Sequence, residues 1–203
     1  MISKRLFDLF FSLIGLLILA PVFALVAVWI KLDSSGPVFF RQVRVGRFER
    51  LFRIFKFRTM CVDAEEKGGQ ITVGEDPRIT RSGKFLRRYK LDELPQLLNV
   101  VKGEMSLVGP RPEVPRYVEF YPERFRAIIL SVPPGITDLA SIEYKDENAL
   151  LGQAKNPDRV YIAEIMPVKI SYYKRYVEER SLCLDAKLII KTLRALAPGQ
   201  KPL

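Results

Sequence analysis

Histidine is absent from the 203 residues of this chain, and cysteine is nearly so. Without an imidazole, general acid–base and nucleophilic roles fall to carboxylates, which in phosphoryl chemistry can form covalent acyl phosphates. Cys61 and Cys183 have no C-x-x-C spacing and no histidine to complete a zinc site, so they read as free thiols in a reducing compartment. Internal repeats, low-complexity tracts and linker-like stretches are missing too, which argues for one compact domain with a sizeable core. Negative charge is in short supply: 33 lysines and arginines face 23 acidic residues, a net charge of +10. The partner should therefore be anionic, whether nucleic acid, a phosphate-rich substrate or an acidic lipid surface. No RNP motif, zinc spacing or clear helix-turn-helix pattern supports nucleic acid.

Residues 9–30, LFFSLIGLLILAPVFALVAVWI, lack charge of either sign. As a helix this run is ~33 Å long against a hydrocarbon core of ~30 Å, which makes it a membrane segment. A single spanning anchor and a signal peptide are the alternatives, the latter suggested only by APVFA at 20–24. Two features favour a re-entrant hairpin of two half-helices. Pro21 removes an amide in mid-run and its ring opposes the Leu17 carbonyl, so the helix is expected to kink or break there. Both flanks are basic, Lys4 and Arg5 before and Lys31, Arg41, Arg44 and Arg47 after, which suits two ends on the cytoplasmic side.

Beyond Asp33, the β-branched and aromatic runs around Gly46 predict a β-hairpin. Residues 63–80 read as a long polar loop that could close over a ligand. RSGKFLRRYK predicts a short basic helix, and a longer helix is expected from Asp92 to Lys102, stopped by Gly103. RYVEFYPERFRAIIL reads as helical despite Pro122, and SVPPGITDLASI as extended. Near the C-terminus Leu182, Ala186, Ile189, Leu193 and Leu196 follow helical spacing beside Lys187, Lys191 and Arg194. That pattern suits either a helix on an anionic membrane surface or one packed on the core.

The chemistry concentrates in RRYKLDELPQLLNVVKGEMSLVGPRP, residues 87–112. Asp92 is a natural N-cap for the following helix, with Pro95 in the first turn, where its missing amide costs no bond. There the helix end and nearby cations should hold Asp92 ionised, available as nucleophile or metal ligand. Glu93 beside it would feel like-charge repulsion unless a cation neutralises the pair, and Mg²⁺ bridging carboxylate and phosphates is the simplest such cation. Arg111, held between two prolines, can aim its guanidinium at a phosphate, and Arg87, Arg88, Lys90, Lys56 and Arg58 could complete a diphosphate pocket. A cap with a solvated neighbour is the plainer reading of the Asp-Glu pair.

FKFRTM, DPRITRSGKFLRR, LDELPQLLNVVKGEMSLVGPRP and PGIT, in this order after an apolar segment, resemble the bacterial sugar transferases known as monotopic phosphoglycosyl transferases. The resemblance spans nearly the whole chain. It implies an α+β, mainly helical fold with a small β-hairpin. Residues 1–32 would form a membrane-embedded re-entrant helix-break-helix, and 33–203 a catalytic domain with interfacial amphipathic helices on the cytoplasmic face of the bacterial inner membrane. It also implies transfer of a sugar 1-phosphate from a UDP-sugar to polyprenyl phosphate, with UMP released. Asp92 would be the nucleophile and Glu93 its partner, both on Mg²⁺, with Arg87 and Arg111 on phosphate and Asp185 a further acidic position of the family. Membrane lipids are then partners, nucleic acid is not, and a homo-oligomer stays open. Direct attack by the lipid phosphate in a ternary complex, and a non-catalytic basic membrane module, are the competing readings. The chain departs from the family pattern at Ala20-Pro21 (Ser-Pro), Glu104 (GDMS) and Asp138 (PGITG).

Overall fold

The computed structural model of the chain describes residues 2–64, 76–143, 151–152, 154 and 156–195. Helix α1 (Ile2–Asp33) carries the apolar run and is helical throughout, Pro21 included. The expected break into two half-helices is therefore corrected. A proline deletes a single amide and displaces a single carbonyl, and the turns on both sides carry the helix past it. Most of the apolar side of α1 is bare, with Leu6, Phe10, Leu17, Ile18 and Leu25 all exposed.

Both ends of α1 are tied to the same body. The Arg5 guanidinium donates to the Val100 and Val101 carbonyls at the end of helix α3 (Leu97–Lys102), where Val100 O also accepts from Gly103 N. At the other end Asp33 accepts from the backbone N–H and hydroxyl of Ser82, at 2.9 and 2.8 Å. Val26 and Ile30 pack there on Phe57 and Leu86.

The hairpin is present. Strands β1 (Phe39–Val45) and β2 (Leu51–Phe57) pair antiparallel from Phe39↔Phe57 to Val45↔Leu51. Their connection places Phe48 and Glu49 at φ 54° and 62°. Tertiary bonds hold this turn in a conformation that non-glycine residues avoid: Phe48 N donates to Leu130 O, and Arg126 pairs with Glu49. Phe52 and Ile54 of β2 bury against Val100 and Met105.

Helix α2 (Arg81–Arg88) is capped by Thr80, whose side chain accepts from Gly83 N. The predicted 92–102 helix is instead a 3-10 turn, Leu91–Gln96, followed by α3, and Gly103 closes α3 with φ 84° as expected. Of SVPPGITDLASI, expected to be extended, Gly135–Thr137 forms strand β4, paired parallel with β3 (Ser106–Val108), whereas Leu139–Glu143 is corrected to a helix. Strand β3 had no signal, since three residues show no alternation. Pro122 separates α4 (Pro115–Val118) from α5 (Glu123–Ile129), so the single helix expected there is corrected to two. The chain continues through α6 (Leu139–Glu143), α7 (Pro157–Val160), a π turn (Tyr161–Ile165), α8 (Met166–Glu179) and α9 (Leu182–Ala195).

The main core joins Tyr117, Tyr121 and Ile129 to Ile165, Met166, Ile170 and Tyr173. On α9 the inward positions are Asp185 and Leu188, whereas Leu182, Ile190 and Leu193 are exposed. Of the expected stripe, Leu182 and Leu193 face outward beside Lys187, Lys191 and Arg194. Ala186 and Ile189 are half-buried, with Ile189 on the cluster of Val108, Tyr176 and Leu188, and Leu196 lies outside the described residues. The same holds for most of the 63–80 loop and of SIEYKDENALL. Cys61 and Cys183 are free.

Candidate active site

The 3-10 turn presents the carboxylate pair. Lys90 precedes it in the left-handed region, φ 55°, and makes no side-chain cap. Asp92 lies inside the turn, so its predicted capping role is corrected. The left-handed residue reverses the chain after α2 and turns both acids inward, where Asp92 and Glu93 are buried.

Glu93 is locked. Lys56 Nζ, from β2, donates to Oε1 at 2.7 Å. Arg111 donates with one terminal nitrogen to Oε1 and with the other to Oε2, at 3.2 Å. Burial alone would push this carboxyl up, but the Arg111 and Lys56 charges and the Arg111 hydrogen bonds hold it well below the usual range. Glu93 is therefore an anion at neutral pH, and in return it pushes the Arg111 guanidinium well above its ordinary value. Burial pulls the Lys56 ammonium down despite the Glu93 charge.

Asp92 is the opposite case. Its Oδ1 is buried and has no hydrogen-bond partner. Burial first, then the Glu93 charge, pushes its carboxyl up, against Lys56, Arg87 and Lys90. The expectation of an aspartate held comfortably ionised is thus corrected: the turn offers it no hydrogen bond, and its neighbour takes the strongest cations. An oxygen without donors keeps both lone pairs uncommitted, the state a nucleophile or a metal ligand requires. The pair is thus split: the Arg111 and Lys56 charges settle on Glu93, and Asp92 is left with burial and the repulsion of its neighbour.

The structure brings Asp92, Glu93, Lys56, Arg87 and Arg111 together. Arg87 donates through Nε to Thr59 Oγ1 at 2.9 Å, and its charge acts on Asp92. Arg58 is elsewhere, and its phosphate assignment is corrected. Its guanidinium donates to the Ser35 and Ser34 carbonyls, closing the end of α1. Strand alternation would put Lys56 and Arg58 on one face, but β2 stops at Phe57. Asp185 is not in the cluster either; it pairs with Lys4 at 2.9 Å and with the Tyr176 hydroxyl. Pro21 stands exposed in α1.

Two supporting residues escaped the sequence reading. Buried Asn99 accepts from Phe55 N at 2.8 Å and donates to Arg53 O at 3.0 Å, fastening the strand that carries Lys56 to α3. Its signal was an amide inside the apolar LLNVV. Arg44 donates to Pro112 O at 2.9 Å and so braces the turn bearing Arg111; it looked like a membrane flank.

Among the described residues no three acidic or cysteine side chains cluster. With Glu93 engaged by Arg111 and Lys56, the donor set that fits a divalent cation is Asp92 alone, completed by phosphate oxygens. That is the ordinary mode for Mg²⁺.

The profile of the family described as bacterial sugar transferase matches residues 1–199. The chain belongs to the bacterial sugar transferase family. Three curated members illustrate the range of the family. The UDP-N-acetylgalactosamine-undecaprenyl-phosphate N-acetylgalactosaminephosphotransferase of Aeromonas hydrophila is 38% identical, over 97% of this chain and 44% of its own length. The undecaprenyl-phosphate glucose phosphotransferase of Komagataeibacter xylinus is 41% identical, over 96% and 36%. The exopolysaccharide production protein PSS of Rhizobium leguminosarum bv. phaseoli is 39% identical, over 95% and 94%. The chain thus spans less than half the length of the first two sugar transferases and nearly all of the third.

Proposed function

We propose that this bacterial sugar transferase moves a sugar 1-phosphate from a UDP-sugar to polyprenyl phosphate, in two steps through Asp92. In the first, an Asp92 carboxylate oxygen attacks the β-phosphorus, and the bond from that phosphorus to the bridging oxygen breaks. UMP leaves with the electron pair, and the sugar phosphate stays on Asp92 as an acyl phosphate. In the second, an oxygen of polyprenyl phosphate attacks the same phosphorus and returns the carboxylate. The observation that carries this reading is the bare, buried Oδ1 of Asp92 beside a fully engaged Glu93.

Lys56, Arg87 and Arg111 bring positive charge to the position of the diphosphate, where a water-poor site makes each charge count for more than in solvent. Glu93 keeps Lys56 and Arg111 oriented before substrate arrives. Mg²⁺, held by Asp92 and the phosphates, would neutralise charge on the departing UMP. Two of the relatives are named as undecaprenyl-phosphate sugar-phosphate transferases, which supports the acceptor class.

The same proposal places α1 in the membrane with both ends on the cytoplasmic face. Arg5 and Asp33, at opposite ends of the helix, are bonded to one body, and a helix so tied does not put its ends on opposite sides of a bilayer. Basic residues at both ends agree with a cytoplasmic position for each. The exposed Leu182, Ile190 and Leu193 of α9 would lie at the interface.

The test is UMP release from a panel of UDP-sugars with Mg²⁺ and no lipid acceptor. One UMP per enzyme with wild type and none with Asp92→Asn is the expected result, and it also identifies the sugar. If UMP appears only after polyprenyl phosphate is added, the covalent route is wrong and direct attack replaces it.

A further inference from the structure

Asp8 stands just before the uncharged run of α1 and is 3% exposed. An ionisable residue at such a place in an apolar helix persists where it has a specific partner. Its Oδ1 takes Lys4 Nζ at 2.7 Å and the Leu107 backbone N–H at 3.2 Å, and its Oδ2 takes the Ser106 hydroxyl at 2.9 Å. Lys4 also holds Asp185 Oδ2 at 2.9 Å. The Tyr176 hydroxyl lies 2.8 Å from Asp185 Oδ1 and 2.9 Å from Val108 O. Side chains from α1, α8 and α9 thus converge on β3.

Strand β3 leads directly into Gly109-Pro110-Arg111, and the chain between has little slack. Gly109 N donates to Thr137 O at 3.1 Å, and Gly135 N to Pro110 O at 2.9 Å. The two glycines touch backbone to backbone: a Cβ on Gly135 would sit 2.1 Å from Gly109 N. A displacement of β3 is therefore passed to Arg111, whose guanidinium forks onto Glu93.

We propose that Asp8 is a positioning residue for Arg111: by gripping Ser106 and Leu107, the apolar helix sets where the Arg111 guanidinium stands against Glu93 and the diphosphate of the donor. Lys4 and Asp185 keep the Asp8 carboxylate in place. The proposal rests on the transferase reading for its activity readout.

The experiment is a double-mutant cycle on the full-length chain in lipid nanodiscs, with Asp8→Asn, Arg111→Lys and both together. Two quantities are measured: kcat/KM for UMP release from the accepted UDP-sugar, and the Kd of inorganic pyrophosphate. Asp8→Asn is expected to lower kcat/KM about tenfold in the wild-type background and less than about twofold once Arg111 is lysine. Pyrophosphate affinity should show the same loss of effect. Effects that multiply in both readouts overturn the proposal, because a purely structural role would act whatever residue stands at 111. If Asp8→Asn does not fold, Ser106→Ala, which removes one hydroxyl, takes its place in the cycle under the same criterion. A wild type that binds pyrophosphate yet releases no UMP with any UDP-sugar sinks the transferase reading alone, and the Kd cycle still decides the role of Asp8. A wild type that does neither overturns both.

Discussion

Two of the places where buried carboxylates meet cations among the described residues treat the carboxylates differently. In the Lys4–Asp8–Asp185 cluster all four carboxylate oxygens have a partner, drawn from an ammonium, two hydroxyls and a backbone amide. In the 3-10 turn Glu93 takes Lys56 and Arg111, while Asp92 Oδ1 is buried with none. Satisfied carboxylates fasten elements together. A buried oxygen left without donors lowers stability, and under the proposed reaction that of Asp92 is kept for its reactivity.

The sharpest way to break this comparison is Asp92→Asn. It should lower UMP release by at least about 10³-fold, the scale of losing an essential nucleophile. Yet the thermal midpoint should stay level or rise, because a poorly accommodated charge is removed from the interior. A clear fall in midpoint would mean that Asp92 is structural after all. Glu93→Gln should do the reverse in stability. It leaves Lys56 and Arg111 without their anion, so unfolding in urea should show a loss of about 3 kcal/mol. The loss in kcat should be about 10²-fold, smaller than for Asp92.

The pH dependence separates the two acids by sign. Glu93 is held well below its unfolded value, so it adds stability that is present above the ordinary glutamate range and lost as pH falls through its folded pKa. Asp92 is pushed up, so ionising it in the folded state disfavours folding as pH rises through the ordinary aspartate range to the raised value. The acid limb of single-turnover UMP release should follow Asp92 and lie above the ordinary aspartate range. A limb at or below that range would contradict the bare-carboxylate geometry. The smallest effect is expected at Tyr176→Phe, which removes a hydroxyl from the satisfied cluster. Chemical denaturation should register about 1 kcal/mol, with UMP release reduced less than about threefold.

Much of the site could be read before the fold was known. The Asp-Glu pair, the proline-flanked Arg111 and the hairpin carrying Lys56 were all visible as local patterns. Their division of labour was not. Glu93 meets Arg111 across 18 positions and Lys56 across 37, and no local pattern says which of two adjacent acids will face them. Arg58 misled for a related reason: alternation extends only as far as the strand, and the chain leaves β2 one residue too soon. Asp8 was passed over because an acid at the edge of an apolar run looks like a flank until its partner, 98 residues away at Ser106, is seen.

By itself, then, the chain composition determined an apolar N-terminal helix and a basic domain suited to an anionic partner, and it pointed to carboxylates for the acid–base work that histidine would otherwise do. These follow from side-chain chemistry and short periodicities, which act within a few residues. Tertiary structure decided that Pro21 bends no break into the helix, that both helix ends return to one body, and which carboxylate is locked and which is bare. Those outcomes depend on competition among distant donors for a few buried oxygens, and only the folded chain sets that competition.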